Sequence, residues 1–163
     1  MKKESLITEA ARAMIGLETE PATGTVYEKE IRRFCYAVGD LNPAYLGERV
    51  DNGSQSGDVA APPMFYDIPT VKEYPLDMLK EDGLPQGGPS LPLKTTRSMA
   101  GGKEVEFFKQ MRPGDTITRI GKMVDIYEKE GRSGPLVFTV FENRYTNQDG
   151  ELVAIEKITG IHR

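Results

Sequence analysis

The C-terminal third of the chain contains four segments in which apolar and polar side chains alternate, and this pattern constrains the fold most strongly. The segments are rich in β-branched and aromatic residues, and they cover residues 104–109, 116–127, 136–146 and 151–161. The stretches at 112–115 and 147–150 have the glycine, proline and asparagine content of tight turns. Because short turns join antiparallel neighbours, the sequence predicts four strands in the simplest order, an antiparallel meander.

Two helices are predicted ahead of these strands. The first covers residues 5–15, or about 4–16 with its ends, where Ser5 is placed to cap the N-terminus and Gly16 to close the helix. Its common face is predicted to carry Ala10, Ala13 and Met14.

The second predicted helix runs from Glu28 to Val38, after a short strand at residues 23–27. Apolar side chains recur along it at the i, i+3, i+4, i+7 spacing of one buried face, namely at Ile31, Phe34, Cys35 and Val38. Gly39 stands where a left-handed residue ends a helix. Helices followed by antiparallel strands predict an α+β domain with helix packed on one face of a sheet.

Proline and glycine recur between residues 41 and 102, so no long regular element is expected there. A short helix is predicted to start at Pro63, since proline suits the first helical turn, and to continue through Ile68. Pro69 then stops or bends it.

Composition limits the architecture and the partners. A chain of 163 residues with 38% hydrophobic residues suits one domain over residues 1–163. It has no apolar run long enough for a membrane span and no secretory apolar core, so a cytoplasmic location with no membrane partner is expected. The net charge of −4, with lysine and arginine spread along the chain, argues against nucleic acid as a partner.

Cysteine and histidine are each present once. Cys35 excludes an internal disulfide and a thiolate metal cluster, and its place in the apolar stripe predicts a packing role. His162 excludes a multi-histidine metal site within one chain, so no metal is expected. It ends an alternating segment next to the C-terminus, which predicts a strand-end histidine without a catalytic role.

The segment Gly-Asp-Leu-Asn-Pro-Ala-Tyr at residues 39–45 is the candidate functional motif. Considered by itself, it is a helix end followed by an Asx-type turn, a common structural arrangement. Considered as chemistry, an acidic side chain and a second acid/base group on one short loop can hold a water molecule between them. Both interpretations remain open from these residues.

This motif resembles the hydratase motif of MaoC-like, (R)-specific enoyl-CoA hydratases (hydratase 2 type), and the chain as a whole is similar to the MaoC-like dehydratase N-terminal domain over about residues 25–163. Further matching strings follow in the same order: VAAPPMF at 59–65, GGKEVEFF at 101–108, MRPGDT at 111–116, YEKEGRSG at 127–134 and YTNQDGELV at 145–153. The resemblance implies a hot-dog fold, in which an antiparallel sheet wraps a central helix, and a double hot dog formed by dimerisation. Residues 63–70 would be the short counterpart of the central helix.

The resemblance also implies the chemistry and marks a departure from it. Asp40, Asn42 and Tyr45 occupy the catalytic motif, but Tyr45 stands where active hydratases carry histidine, and a phenol of pKa about 10 is a poor base at neutral pH. The resemblance therefore implies a subunit of an enoyl-CoA hydratase or dehydratase that binds an acyl thioester, needs no cofactor and is paired with a His-bearing second hot-dog chain. The alternatives are a self-sufficient homodimeric hydratase that uses Asp40 and a non-enzymatic acyl-CoA-binding protein.

Three sets of residues are candidates for substrate binding. The resemblance implies that backbone amides at Pro63, Met64 and Phe65 lie near the thioester carbonyl of acyl-CoA or acyl-carrier protein. Gly101 and Gly102 would allow close approach of a pantetheine chain, or form a bulge at the start of a strand. Arg132 would contact a CoA phosphate, or lie in a plain hairpin loop between two strands.

Overall fold

A five-stranded antiparallel sheet forms the framework of the protein in a computed structural model that describes residues 4–47, 59–86 and 91–163. The strands are β1 Ala22–Thr25, β2 Ser98–Phe107, β3 Thr116–Gly131, β4 Gly134–Thr146 and β5 Leu152–His162. All four predicted C-terminal strands and the short early strand are therefore confirmed. The largest error in a boundary is in β2, which begins at Ser98 and not at Glu104.

The predicted meander is only partly correct. β3, β4 and β5 are consecutive antiparallel neighbours, but β2 pairs with β5, and the spatial order is β1-β3-β4-β5-β2. β1 occupies the edge of β3 that a simple meander would give to β2, with register from Ala22↔Arg119 to Thr25↔Thr116. The chain between β2 and β3 therefore crosses from one edge of the sheet towards the other.

The first helix is shorter than predicted. Helix α1 spans Glu9–Ala13, and its N-cap is Thr8, whose hydroxyl accepts a hydrogen bond from the Ala11 N–H at 3.1 Å. Ser5 does not cap it, because its hydroxyl donates to Glu128 at 2.7 Å and the following Ile7 pairs with Leu93 in an antiparallel bridge. Ala11 is the buried residue of α1, while the predicted Ala10 and Ala13 are exposed.

The second helix matches its prediction. Helix α2 spans Glu28–Val38 and ends at Gly39, which has the left-handed φ of 75°. Ile31 and Cys35 are fully buried, but Val38 at the end of the predicted apolar face is exposed. A four-residue helix, α3 at Pro43–Leu46, was not predicted.

The core lies between α2, the sheet and the segment that follows Pro62. Its largest fully buried side chains come from all three parts: Ile31 from α2, Ile117 and Tyr145 from the sheet, and Phe65 and Tyr66 from the segment. Among the described residues, no helix is long and apolar enough to cross a membrane.

The counterpart of the central helix is broken into single turns. Pro63–Phe65, Ile68–Thr70 and Leu76–Met78 are separate 3₁₀ turns. The predicted start at Pro63 is confirmed, but the predicted continuation to Ile68 and stop at Pro69 are wrong: the first turn ends at Phe65, and Pro69 lies inside the second, where proline suits the first positions of a helical turn. The 68–70 turn lies against β1 so closely that a Cβ atom at Gly24 would be 1.7 Å from the Pro69 carbonyl oxygen. The expectation of no long element between 41 and 102 therefore holds up to β2, apart from residues 48–58 and 87–90, which lie outside the described parts.

Candidate functional site

The loop that carries the candidate motif, residues 39–45, is held by its own polar groups. The Asp40 N–H donates to the Cys35 carbonyl at 3.0 Å, and the Asp40 carboxylate accepts from the Asn42 N–H at 3.3 Å. Asn42 is the N-cap of α3, where its side-chain oxygen accepts from the Ala44 N–H at 3.0 Å. Asp40 and Asn42 thus build the helix end and the turn that the structural interpretation requires.

Tyr45 lies on α3, and its half-buried ring packs against the core. Within the described parts of the chain, no hydrogen bond joins the Tyr45 hydroxyl to the Asp40 carboxylate. The structure therefore brings the two residues onto one loop without coupling them as an acid/base pair.

Cys35 lies beneath this loop and is fully buried. Burial, and then the negative charge of Asp40, raise the pKa of the Cys35 thiol. A buried thiol of raised pKa is a poor nucleophile. The predicted packing role of Cys35 is confirmed.

A mainly apolar pocket of about 220 Å³ lies beside the segment that starts the 63–65 turn. It is lined by residues from this segment, from the end of β2 and the connection that follows it, and from β5: Ala61, Pro62, Pro63, Tyr66, Phe107, Phe108, Lys109, Gln110, Met111 and Val153. The Ala60 N–H donates to the Ala44 carbonyl at 3.3 Å, and the Ala61 N–H to the Met111 carbonyl at 2.9 Å. These two bonds fix the pocket wall next to α3 and hence next to the candidate loop.

The three residues predicted to lie near the thioester carbonyl have different environments. Pro63 lines the pocket, and the Met64 side chain is 56% exposed. Phe65 is fully buried and packs edge to face on Phe34, with ring centroids 5.7 Å apart. The Phe65 side chain is thus a core residue, and contact of the backbone of this turn with a thioester stays a prediction.

The structural alternatives for the glycines and for Arg132 are present in the fold. The pairing of β2 with β5 shifts between Ala100 and Gly102, which is a β-bulge. Gly131 pairs with Gly134 across the end of the β3–β4 hairpin, and Arg132 is an exposed residue of its two-residue loop. Close approach of a pantetheine chain and contact with a phosphate stay predictions.

Sequence reasoning missed a buried polar group, which we call the Glu156 cluster and define as Glu156 with its four donors. The Glu156 side chain is 3% exposed. Its carboxylate accepts from the Tyr66 hydroxyl at 2.5 Å, the Asn143 amide at 2.7 Å and the Tyr145 hydroxyl at 3.1 Å, and the Lys103 ammonium lies 2.7 Å away. A charged residue within the apolar run Val-Ala-Ile-Glu-Lys-Ile was the available signal.

The donors keep the carboxylate ionised. Burial tends to raise the pKa of Glu156, but hydrogen bonds from Lys103, Tyr66 and Asn143 outweigh burial and hold that pKa below its usual value. Burial, and then the hydrogen bond to Glu156, raise the pKa of Tyr66. Tyr66 is therefore a protonated donor at all ordinary pH values.

His162 is the last residue of β5. Its ring nitrogen is 2.9 Å from the Thr139 hydroxyl, and burial lowers its pKa. It lines a polar pocket of about 240 Å³ with residues 91–98, to which no residue of the candidate loop contributes. Across the described ranges, no three His, Cys, Asp or Glu side chains are grouped so that they could hold a metal ion.

An antiparallel sheet that packs one face on α2 and on the broken segment at 63–70 is a hot-dog architecture. Solved structures agree with this class: the ChsH1-ChsH2 complex from Mycobacterium tuberculosis has a TM-score of 0.70 at 18% identity, over 94% of this chain and 93% of that one. The R-hydratase PhaJ1 from Pseudomonas aeruginosa has a TM-score of 0.61 at 18% identity, over 97% and 86%.

Sequence comparison places the chain in a family. Residues 13–156 match the FAS1-like, dehydratase domain region, and the chain belongs to this family of MaoC-like hot-dog dehydratases. It is 32% identical over 107 residues to the mesaconyl-C(4)-CoA hydratase of Chloroflexus aurantiacus, covering 65% of this chain and 38% of that protein. It is 29% identical over 135 residues to a probable enoyl-CoA hydratase alpha subunit of Thermomonospora curvata, covering 78% and 41%. The chain thus spans about two fifths of the length of these relatives.

Proposed function

We propose that this chain is the acyl-thioester-binding subunit of an enoyl-CoA hydratase or dehydratase and that a second hot-dog chain supplies the catalytic histidine. The observation that carries the proposal is Tyr45. The loop around it keeps the Asp40 and Asn42 hydrogen bonds, while the acid/base partner of Asp40 is a phenol that packs against the core. The motif thus keeps the hydrogen bonds that fold it, but it lacks the Asp and His pair that would transfer protons.

The apolar pocket beside the 63–65 turn supports acyl-thioester binding. Its walls are mostly hydrophobic, and it adjoins a turn whose first N–H donor belongs to Met64, because Pro62 and Pro63 have none. In the part of the chain that the structure describes, no hydrogen bond engages the Met64 N–H. We assign this N–H to the thioester carbonyl, since unpaired amides at the start of a helical turn point outward as donors.

A second hot-dog subunit is supported by the exposed edge of the sheet. Within the described ranges β2 pairs on one side with β5, and its other side is unpaired. Three large apolar residues at this edge are exposed, namely Met99, Phe107 and Phe108. A long unpaired strand with exposed apolar side chains is a surface that proteins normally cover. A double hot dog formed through a partner would cover it.

The test is hydration of a short enoyl-CoA such as crotonyl-CoA, followed by the ultraviolet absorbance of its conjugated double bond. The purified chain should leave this substrate unhydrated, and activity should appear when a hot-dog chain with an intact Asp and His motif is added. Robust activity of the chain without a partner, abolished by Asp40→Asn, would overturn the subunit assignment in favour of a self-sufficient hydratase. Tight binding of acyl-CoA without hydration in any pairing would instead indicate a non-enzymatic binding protein.

A further inference from the structure

Tyr66 connects the turn at residues 63–65 to the sheet. Its N–H donates to the Pro63 carbonyl at 3.3 Å and so closes the turn. Its hydroxyl donates to Glu156 of β5 at 2.5 Å, and its ring packs edge to face on Phe107 and Tyr145. The side chain is 1% exposed. One residue thus ends the turn and ties it to the opposite layer.

The turn depends on such a tie because it has little internal support. Among the described residues, its backbone hydrogen bonds run from the Phe65 N–H to the Pro62 carbonyl at 3.0 Å and from the Tyr66 N–H to the Pro63 carbonyl. A long helix would hold its first turn in place through the i to i−4 bonds of the turns that follow it, whereas a single 3₁₀ turn has no following turns and its bonds are less well aligned. The direction of the Met64 N–H is therefore set from outside the turn.

We propose that Tyr66 is a positioning residue, which acts through its hydrogen bond to Glu156 to hold the Met64 N–H in line with the thioester carbonyl of a bound acyl-CoA. The inference rests on the proposed function for its ligand. Glu156 suits this task because its own position is over-determined by Asn143 and Lys103. A buried carboxylate with several donors is a rigid anchor.

Tyr145 provides a matched control. It is also buried, also a tyrosine, and also donates its hydroxyl to the Glu156 carboxylate, at 3.1 Å. It belongs to β4, however, so its hydroxyl ties the sheet to itself and not to the turn. Tyr66→Phe and Tyr145→Phe each remove one buried donor from the same acceptor, and a purely structural role predicts the same outcome for both.

The first measurement is hydrogen exchange in the free chain, which needs no ligand, at the two backbone amides whose hydrogen bonds form the turn, those of Phe65 and Tyr66. Tyr66→Phe should speed this exchange by roughly ten- to a hundredfold relative to wild type, the factor expected for losing a hydrogen bond to a charged group. Tyr145→Phe should leave it close to the wild-type rate. Equal exchange rates at this turn in the two variants would refute the claim that the Tyr66–Glu156 hydrogen bond holds the turn.

The second measurement is the infrared band of the thioester carbonyl in bound crotonyl-CoA labelled with carbon-13 at that carbon. In the wild-type complex the band should lie at lower frequency than in water. In the Tyr66→Phe complex most of this shift should be lost, and in the Tyr145→Phe complex it should remain. A Tyr66→Phe complex with the wild-type band would refute the positioning role even if exchange had changed. If wild type does not bind crotonyl-CoA, the proposed function and the assigned ligand are wrong. The exchange result still decides whether the Tyr66–Glu156 hydrogen bond holds the turn.

Discussion

Replacing Glu156 by glutamine tests whether the buried carboxylate stabilises the fold as an ion. Its four donors form two pairs: Tyr66 and Lys103 at one oxygen, Asn143 and Tyr145 at the other. A glutamine of the same shape keeps an oxygen for one pair and presents an NH₂ group to the other. Asn143 and Tyr145 can adapt, because an amide can flip and a hydroxyl can accept, so the main losses are the charge beside Lys103 and the strength of the remaining bonds.

The expected loss in unfolding free energy at pH 7 is about 2–4 kcal/mol. Hydrogen bonds to charged groups contribute roughly 1.5–3 kcal/mol each, against roughly 0.5–1.5 for neutral ones, and removing one partner of a buried ion pair costs about 3–5. The value lies below the sum of these because Lys103 is 44% exposed and can recover hydration. Urea unfolding followed by circular dichroism at one protein concentration measures it.

The pH dependence has a definite sign. The pKa of Glu156 is lower in the folded state than in the unfolded chain, where a glutamate has a pKa of about 4.3. The contribution of the ionised side chain to the free energy of unfolding is therefore fully present above that unfolded pKa, and it is lost as the pH falls through the lower folded-state pKa. The difference in unfolding free energy between wild type and Glu156→Gln should therefore become smaller below about pH 4. Glu151→Gln is the control, since Glu151 also pairs with Lys109 and Asn147 but is half exposed. A difference in unfolding free energy below about 0.5 kcal/mol at pH 7, or a difference that stays constant on acidification, would show that the ionised carboxylate does not stabilise the fold.

Three further predictions concern individual positions. Gly24→Ala should destabilise the protein by about 1–3 kcal/mol in the same urea assay, because its Cβ would overlap the Pro69 carbonyl, while Gly102→Ala, which meets nothing within 4 Å, should not destabilise it. Native Cys35 should react with a maleimide much more slowly than in the unfolded chain, since it is fully buried; comparable rates would contradict its packing role. Tyr45→His should raise hydration of crotonyl-CoA by the chain by about 10²-fold or more if Asp40 gains a usable acid/base partner, whereas Tyr45→Phe should not. No gain with a folded Tyr45→His protein would show that the loop lacks catalytic geometry for other reasons.

Local signals explain the parts of the fold that the sequence predicts well. The bounds of α2 follow from the spacing of Ile31 and Cys35 and from Gly39, and all of these act within a few residues. The alternation in β3, β4 and β5 and the short turns between them likewise fix those strands and their order. Each of these features is decided by neighbours along the chain, so single-sequence reasoning reaches it.

Three of the errors depend on residues far apart in the sequence. Ser5 looks like a helix cap, but Glu128 from β3 competes for its hydroxyl, and Thr8 caps α1 instead. β2 looks like the start of a meander, yet β1 takes the position beside β3. The Glu156 cluster joins residues that lie up to 90 positions apart, so no short window contains it. Pairings of this kind depend on which distant segments share a layer.

The candidate loop is folded by contacts that do not depend on an acid/base group at position 45. The Asp40 carboxylate and the Asn42 amide both hold backbone N–H groups, and neither bond involves the side chain at position 45. A tyrosine at that position is accommodated because its ring packs on the core. The loop would therefore keep these backbone contacts beside the proposed acyl-thioester pocket without a hydrogen bond from the side chain at position 45. Under the proposed function, Asp40→Asn retains the acceptor for the Asn42 N–H and should leave the activity of the two-subunit complex unchanged. A large loss of activity from this near-isosteric change would return Asp40 to the chemistry and place the active site on this chain.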